Sequence, residues 1–368
     1  MHKKVYILGA GASHDLSFRI GTHDAGWGTY LYKDFHVGPL SSGYFYYFNQ
    51  IQKAVKESTS HCASVAIGRR LLKYVSQKYD ITENELLDDK DLSLKVNIEN
   101  LYIAIEETAD EMELRDLKFQ ELFAVQLELR SYILNTLSFV GYYCISKFHH
   151  SFADYLVNTG GDVISFNWDT LLDEAMFDTG RWSYETGYGF GFEKAIYKSN
   201  DHRKNTPIQD SKTTILKPHG SINWYSDNDN KEEMYLVLPV ELRLRGGTFG
   251  QLRPCESIGD KSVFTHIVPP GKKRKYFPRV WERMRDVLQN ADKIIAIGFS
   301  FNGNDSHVKE EFENIQFKRD LSIEIINPNG VLLLGTYKEV FKTENVVVRS
   351  SSFAQYCDEI SSEVILGE

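Results

Sequence analysis

The sequence predicts an open, doubly wound α/β sheet of parallel strands, interrupted by a large helical insertion. Three observations predict it. Short apolar, partly β-branched runs stand near both ends of the chain, each stops at a glycine or an amide, and segments of helical spacing follow several of them. Between the first run and the second lies a long stretch, about 45–156, without proline and with almost no strand-like alternation.

Taken in order, Val5, Tyr6, Ile7 and Leu8 form the first run, and Gly9 ends it. A parallel strand is covered on both faces, so it reads as continuously apolar. From about 45 to 156 apolar residues recur at helical spacing. The pattern is clearest at Leu122, Val125, Leu129, Tyr132 or Ile133, Thr136 or Leu137, and Val140, whose steps of three and four line one face of a long helix as core or subunit contact. The acidic piece 82–91 reads as a connector. A second strand, 162–166, stops at Asn167-Trp168-Asp169, and a helix follows over 170–176. Residues 180–270 are Gly-rich, Tyr-rich and charged, with strand candidates at 214–216 and 234–238 whose order stays open. A helix at 279–288, a strand at 293–297, a loop at 298–300, a helix from near Asp305, a strand at 321–326 and a turn at 327–330 complete the succession. The division expected is 1–44 with 157–368 as the sheet domain, and 45–156 as an assembly or regulatory insertion. In such a sheet the ligand crevice lies beyond the carboxyl ends of the strands, where the polar motifs sit.

Composition narrows the function. The 42 basic and 51 acidic residues leave a net charge of −9, which disfavours a broad phosphate-gripping surface and makes nucleic acid a secondary hypothesis. Cys62, Cys144, Cys255 and Cys357 are far apart, so neither a zinc knuckle nor a disulfide framework is indicated, and a cytoplasmic protein with reduced thiols is expected. No apolar run approaches the roughly 18 residues of a membrane span. The basic run 272–275 and the residues Arg243, Arg245 and Arg253 read as solvated loops.

Gly9-Ala10-Gly11-Ala12-Ser13 follows the first strand directly. Glycine lets backbone approach a pyrophosphate closely, and the amides that follow can donate to it; the same pattern also serves as a plain strand-to-helix turn. The acid expected about 20 residues later in an ordinary dehydrogenase is missing. In Ser165-Phe166-Asn167-Trp168-Asp169 the amide and carboxylate can hold a ribose and a carboxamide, or Asp169 or Thr170 can cap the next helix. In Lys217-Pro218-His219-Gly220-Ser221 the proline fixes the backbone and the glycine leaves space, so His219 can face a cleft as a base with a pKa near working pH, or be a hydrogen-bonded loop histidine. No other histidine has a comparable setting, and His149-His150 fit a helix end. Gly298, Ser300 and Asn327 end two more strands, where they permit close approach, donate to phosphate and reach a ribose.

As an ordered set, GAGAS, SFNWD, KPHGS, HIVPPGKKRK with VWERMRDVLQNADKIIAIGFSF, and INPN resemble the sirtuin-like family, and within it the bacterial NAD-cleaving effectors of anti-phage defence. The resemblance covers roughly 4–20 and 160–330. It implies a Rossmann-like domain with NAD as substrate. The pocket would be formed by Gly9, Ala10, Gly11, Ser13 and Asp15, with Asn167 and His219 as the catalytic pair and Asp169 beside the nicotinamide ribose. Gly298, Ser300 and Asn327 would lie on the phosphate and adenosine side. The four-cysteine zinc module of deacylating sirtuins is absent, and after GAGAS the chain reads His14-Asp15-Leu16-Ser17-Phe18 where deacylases have G-I-P-D-F-R, which argues against a peptide deacylase.

The expected activity is therefore NAD+ glycohydrolysis to nicotinamide and ADP-ribose, without a metal. Because unrestrained NAD loss would poison its host, control by a homo-oligomer or a partner is expected, and the resemblance suggests a HerA-type ATPase as one such partner. The alternatives are a non-catalytic NAD or ADP-ribose sensor and a nuclease subunit of a defence complex.

Overall fold

A computed structural model of the chain describes residues 3–14, 17–23, 30–36, 43–58, 68–112, 116–143, 146–197, 212–227, 233–238, 254–258, 260–269, 277–301 and 303–366. The first elements are β1 (Lys4–Leu8), α1 (Gly11–His14), β2 (Ser17–His23) and β3 (Tyr30–His36). A helical stretch follows: α2 (Tyr44–Ser58), α3 (Arg69–Tyr79), α4 (Glu83–Asp88), α5 (Lys90–Ser93), α6 (Ile98–Asp110), α7 (Leu117–Tyr143) and α8 (Lys147–Thr159). Then come β4 (Asp162–Ser165), α9 (Leu171–Asp178), β5 (Lys194–Tyr197), β6 (Ile215–Leu216), β7 (Gly220–Asp227), β8 (Met234–Leu238), β9 (Cys255–Ile258) and β10 (Lys261–Ile267). The chain closes with α10 (Pro278–Gln289), β11 (Lys293–Ile297), α11 (Ser306–Glu313), β12 (Ser322–Ile326), α12 (Gly330–Phe341), β13 (Val346–Arg349) and α13 (Phe353–Leu366).

Six strands form one sheet in the order β13-β12-β11-β1-β4-β6, and every neighbouring pair is parallel. The chain runs outward from β1 through β4 to β6, then returns to the other side of β1 and runs outward again through β11, β12 and β13. This is the doubly wound, Rossmann-like order, and its direction reverses between β1 and β11. The strands there are apolar for the reason read from the sequence: Val5, Tyr6, Ile7 and Leu8 are buried, as are Ile294, Ile295, Ala296 and Ile297 beside them. Helix α8 joins this core through Phe152, Ala153 and Leu156.

The strands between 180 and 270 belong to a second sheet of order β5-β8-β7-β10-β9, antiparallel except for the parallel pair β5 and β8. Side chains on a strand alternate faces, and this sheet uses both. Trp224, Met234 and Leu236 enter the first core, while Tyr225, Tyr235 and Val237 enter a second core with α2, α3, α6 and α7. The stripe on α7 faces that second core through Leu122, Val125, Leu129, Tyr132, Ile133 and Leu137. The helical stretch thus shares its hydrophobic interior with strands more than 80 residues downstream.

The stretch 82–91 is helical where a connector was expected. Thr82 Oγ1 accepts from the Glu85 amide at 3.3 Å and the Glu85 carboxylate accepts from the Thr82 amide at 3.0 Å; Asp89 likewise accepts from the amides of Asp91 and Leu92. Side-chain caps at both starts let short acidic segments hold helix. Among the described residues no helix is long and apolar enough to cross a membrane.

Candidate functional site

The site begins where β1 and β11 part. The Gly9 amide donates to the Ile297 carbonyl at 3.0 Å and the Gly11 amide to the Gly298 carbonyl at 3.1 Å. Gly298 has φ +61°, and a Cβ on it would stand 2.5 Å from the Gly11 backbone. A Cβ on Gly9 would stand 2.6 Å from the Gly298 carbonyl oxygen. The glycines are needed because two backbones touch across the switch point. The amides of Ala12 and Ser13 also donate within the loop, to the Gly9 and Ala10 carbonyls. Three amides that follow Gly9 and were expected to serve a ligand, those of Gly11, Ala12 and Ser13, are thus engaged by the protein itself.

The next strand out supplies the amide and the carboxylate. Parallel register pairs Leu8 with Ser165, and the Phe166 amide continues it by donating to the Leu8 carbonyl at 2.9 Å. Asn167 is thereby brought over the glycine turn, where Nδ2 donates to the Gly9 carbonyl at 2.9 Å and to Ser13 Oγ at 3.2 Å. Ser13 Oγ in turn donates to Asp169 Oδ2 at 2.9 Å. The result is a directed chain, Asn167 to Ser13 to Asp169. The other carboxylate oxygen of Asp169 accepts from the Leu171 amide at 3.1 Å, so this residue serves α9 and the loop together.

The loop after β6 is bound to the same place by a buried cation. Lys217 Nζ donates to the Asp169 carbonyl and lies 3.3 Å from Asp173 Oδ2, with side chains 0% and 2% exposed. Asp173 also accepts from the Tyr188 hydroxyl, which accepts from Asn223 Nδ2 at 3.2 Å. Two residues on, His219 is only 3% exposed. Its ring meets Phe166 edge-on at 5.0 Å, and Phe166 stacks on Phe299 at 4.7 Å. Gly220 has φ +76°, with the His266 carbonyl oxygen 1.9 Å from where a Cβ would be; no other residue fits between the strands.

A pKa near working pH was expected for His219, and the structure corrects this. Burial, reinforced by His307, pushes the imidazole down to about 3 against the opposing pull of the Phe166 carbonyl. The ring is neutral at physiological pH. The expectation that no other histidine has a comparable setting is also corrected: His219 Nε2 lies 3.2 Å from His307 Nε2, with ring planes 27° apart. His307 stands in the first turn of α11, and its only signal in the sequence was its place just beyond the polar loop after β11. His149 is buried at the start of α8, its Nδ1 2.7 Å from Ser146 Oγ, and burial holds it down to about 3 as well.

Direct contacts therefore unite Gly9, Gly11, Ser13, Asn167, Asp169 and Gly298, and His219 adjoins them through Phe166. Ala10 is exposed at the loop tip. Ser300 is exposed, and Asn327 Oδ1 accepts from the Asn329 amide at 2.8 Å in its own turn beyond β12. Among the described residues neither hydrogen bonds to the central group. Asp15, Cys62, Cys144, the basic run 272–275, Arg243, Arg245 and Arg253 lie outside the described residues. No group of His, Cys, Asp and Glu suited to a metal ion occurs among the described residues.

The helical stretch reaches the site through α6, which the sequence did not indicate. Tyr102 packs on Trp168 at 6.2 Å and donates to the Ile267 carbonyl at 3.1 Å, while Trp168 Nε1 donates to the Val268 carbonyl at 3.2 Å. Asn304, before α11, donates to Asn100 Oδ1 at 2.8 Å.

Strand order and site together define a doubly wound α/β protein with a hydrogen-bonded polar cluster at its switch point. No protein-family model matches the sequence, and no curated protein does. Among solved structures, a Sir2 homologue in complex with NAD is 15% identical, with a TM-score of 0.43 over 83% of this chain and 97% of that one. An ADP-ribose complex of a Sir2 homologue mutant is 14% identical, with a TM-score of 0.40 over 67% and 78%. A 2'-O-acetyl ADP-ribose complex of another mutant is 16% identical, with the same score and coverage.

Proposed function

We propose that this chain binds NAD+ across the switch point and hydrolyses the nicotinamide–ribose bond, giving nicotinamide and ADP-ribose. The observation that carries the reading is the hydrogen-bonded chain from Asn167 through Ser13 to Asp169, built over the glycine turn at the point where doubly wound sheets take ligands. NAD and ADP-ribose in the Sir2 homologues' complexes, and the motif resemblance, support the choice of ligand.

Nicotinamide leaves as a neutral molecule while positive charge develops on the ribose, as in glycoside hydrolysis. Both hydrogens of the Asn167 amide are committed to Gly9 and Ser13, which turns its Oδ1 into the group that accepts from a ribose hydroxyl or the attacking water. Asp169 supplies negative charge beside the ribose, and neutral His219 accepts the proton of the nucleophile. Gly298, Ser300 and Asn327 take the phosphate and adenosine side. In the cell this activity would act as an NAD-depleting anti-phage effector, held in check by assembly of the helical stretch or by a HerA-type ATPase.

The test is product analysis of NAD+ incubated with the purified chain, alone and with the ATPase. Steady nicotinamide release is expected, and His219→Ala or Asn167→Ala should abolish it while circular dichroism stays unchanged. Undiminished turnover in either variant removes that residue from the mechanism. Stoichiometric NAD+ binding without release would make the chain a sensor.

A further inference from the structure

The two loops that carry the proposed catalytic residues are tied to one dipeptide, Ile267-Val268, at the end of β10. The Val268 amide donates to the His219 carbonyl at 2.8 Å. The Val268 carbonyl accepts at 3.2 Å from the indole of Trp168, the residue between Asn167 and Asp169. The Trp168 carbonyl in turn accepts at 3.1 Å from the Ile222 amide, on the strand that follows His219. The dipeptide is itself held from the helical stretch. Tyr102 of α6 is buried, meets the Trp168 ring edge-on at 6.2 Å and donates its hydroxyl hydrogen to the Ile267 carbonyl at 3.1 Å. Arg130 of α7 donates from Nε to that hydroxyl at 2.8 Å and from Nη2 to Glu106 Oε1 at 3.1 Å, with the Arg130 and Glu106 side chains 15% and 10% exposed. Every direction here is fixed by chemistry. Peptide, indole and guanidinium nitrogens only donate and carbonyls only accept, so the hydroxyl, its one hydrogen given to Ile267, receives from Arg130.

We infer that Tyr102 is a positioning residue for NAD+ hydrolysis: aligned by Arg130, it fixes Ile267-Val268 and through them sets the separation and orientation of Asn167, Asp169 and His219. This rests on the glycohydrolase reading. The ladder between β4 and β6 ends at Ile164 and Leu216, short of both Asn167 and His219, so the sheet alone does not set their separation. The bonds to 267 and 268 take over from it. A misplacement of about 1 Å in such a pair can cost about a hundredfold in rate. Losing one hydrogen bond's net contribution sets a lower bound of about fivefold. The glycine turn that takes the dinucleotide is built from the ends of β1 and β11, and none of these bonds runs to it, so binding stays in place while the chemistry slows. The helical stretch thereby holds the catalytic geometry through α6 and α7.

Kinetics of nicotinamide release by the full chain decide it. Tyr102→Phe keeps the ring against Trp168 and removes only the hydroxyl, so the bond to Ile267 and the bond from Arg130 are lost together. Its kcat should fall by about 5- to 100-fold while KM for NAD+ stays within about twofold. An unchanged kcat overturns the inference, and so does a KM that rises by as much as kcat falls, which would mark a general loosening of the site. Trp168→Phe carries the test should Tyr102→Phe not fold, because this indole is only half-buried and its loss leaves no enclosed cation without a partner. It too should lose about fivefold in kcat at constant KM, and an undiminished kcat overturns the inference. In the double variant the loss should be smaller than the product of the two single losses, since both act through the same dipeptide; a loss equal to the product overturns it. Release by the unaltered chain separates the two readings. If it is absent, the glycohydrolase reading falls and this inference with it, whereas release that Tyr102→Phe does not slow removes the inference alone.

Discussion

Lys217 offers the sharpest test of how the site is held together. Its side chain is fully buried, 3.3 Å from an equally buried Asp173, and it donates to the backbone carbonyl of Asp169. Lys217→Met fills nearly the same volume but leaves the Asp173 carboxylate with no cation and the Asp169 carbonyl without this donor. Removing one partner of a buried pair costs about 3–5 kcal/mol, because the remaining charge stays desolvated. At about 2.1 cal/mol/K of unfolding entropy per residue, a chain of 368 residues shifts by about 1.3 °C per kcal/mol, so the midpoint of thermal unfolding should fall by at least ~4 °C. Calorimetry on the single variant and on Lys217→Met with Asp173→Asn gives the decisive comparison. The neutral amide can still accept from the Tyr188 hydroxyl, so the double variant should recover much of the loss. A single variant destabilised by less than about 1 kcal/mol, or a double variant no better than the single, would refute the argument that an ion pair fastens the His219 loop to α9.

Two further predictions concern the glycine contact and acid stability. Gly298→Ala places a methyl 2.5 Å from the Gly11 backbone at φ +61° and should cost about 2–5 kcal/mol with loss of NAD+ binding, whereas Gly303→Ala, with nothing within 4 Å, should be silent; equal behaviour of the two would sink the close-approach argument. Burial, the larger cause for both rings, pushes His149 and His219 from 6.5 down to about 3. The folded values lie below the unfolded ones, so the unfolded chain binds the extra protons. Stability from these two groups is whole above pH 6.5 and is lost as pH falls from there towards 3, by about 1.4 kcal/mol per unit for each ring. Urea titrations from about pH 7 to 4.5 should show this loss, and His149→Phe should halve the part due to the two rings. Stability that stays level over that range contradicts the burial of both rings as neutral groups.

The strands at 4–8, 162–165, 293–297 and 322–326 were legible in the sequence because a parallel strand must be apolar on both faces and must stop where the chain turns. The stripe on α7 was legible because its spacing of three and four is a local property. So were the glycines at 9, 11 and 298 as places needing room. The motif residues Asn167, Asp169 and His219 could be singled out by residue type and by position after a strand.

Only the tertiary structure decided what these residues touch. Ser13 meets Asp169 across 156 residues because β1 and β4 are parallel neighbours. His219 meets His307 across 88, a contact made by where α11 packs and marked by no local pattern. The same packing desolvates His219 and moves its pKa far from the neutral value its loop suggested, since solvation depends on the whole surroundings of a ring and not on its neighbours in the chain. The sequence determined the elements and their polar ends, because backbone geometry and side-chain periodicity act over a few residues. Tertiary packing decided the partners, charges and closures of the site, because those depend on groups that only folding brings within hydrogen-bonding distance.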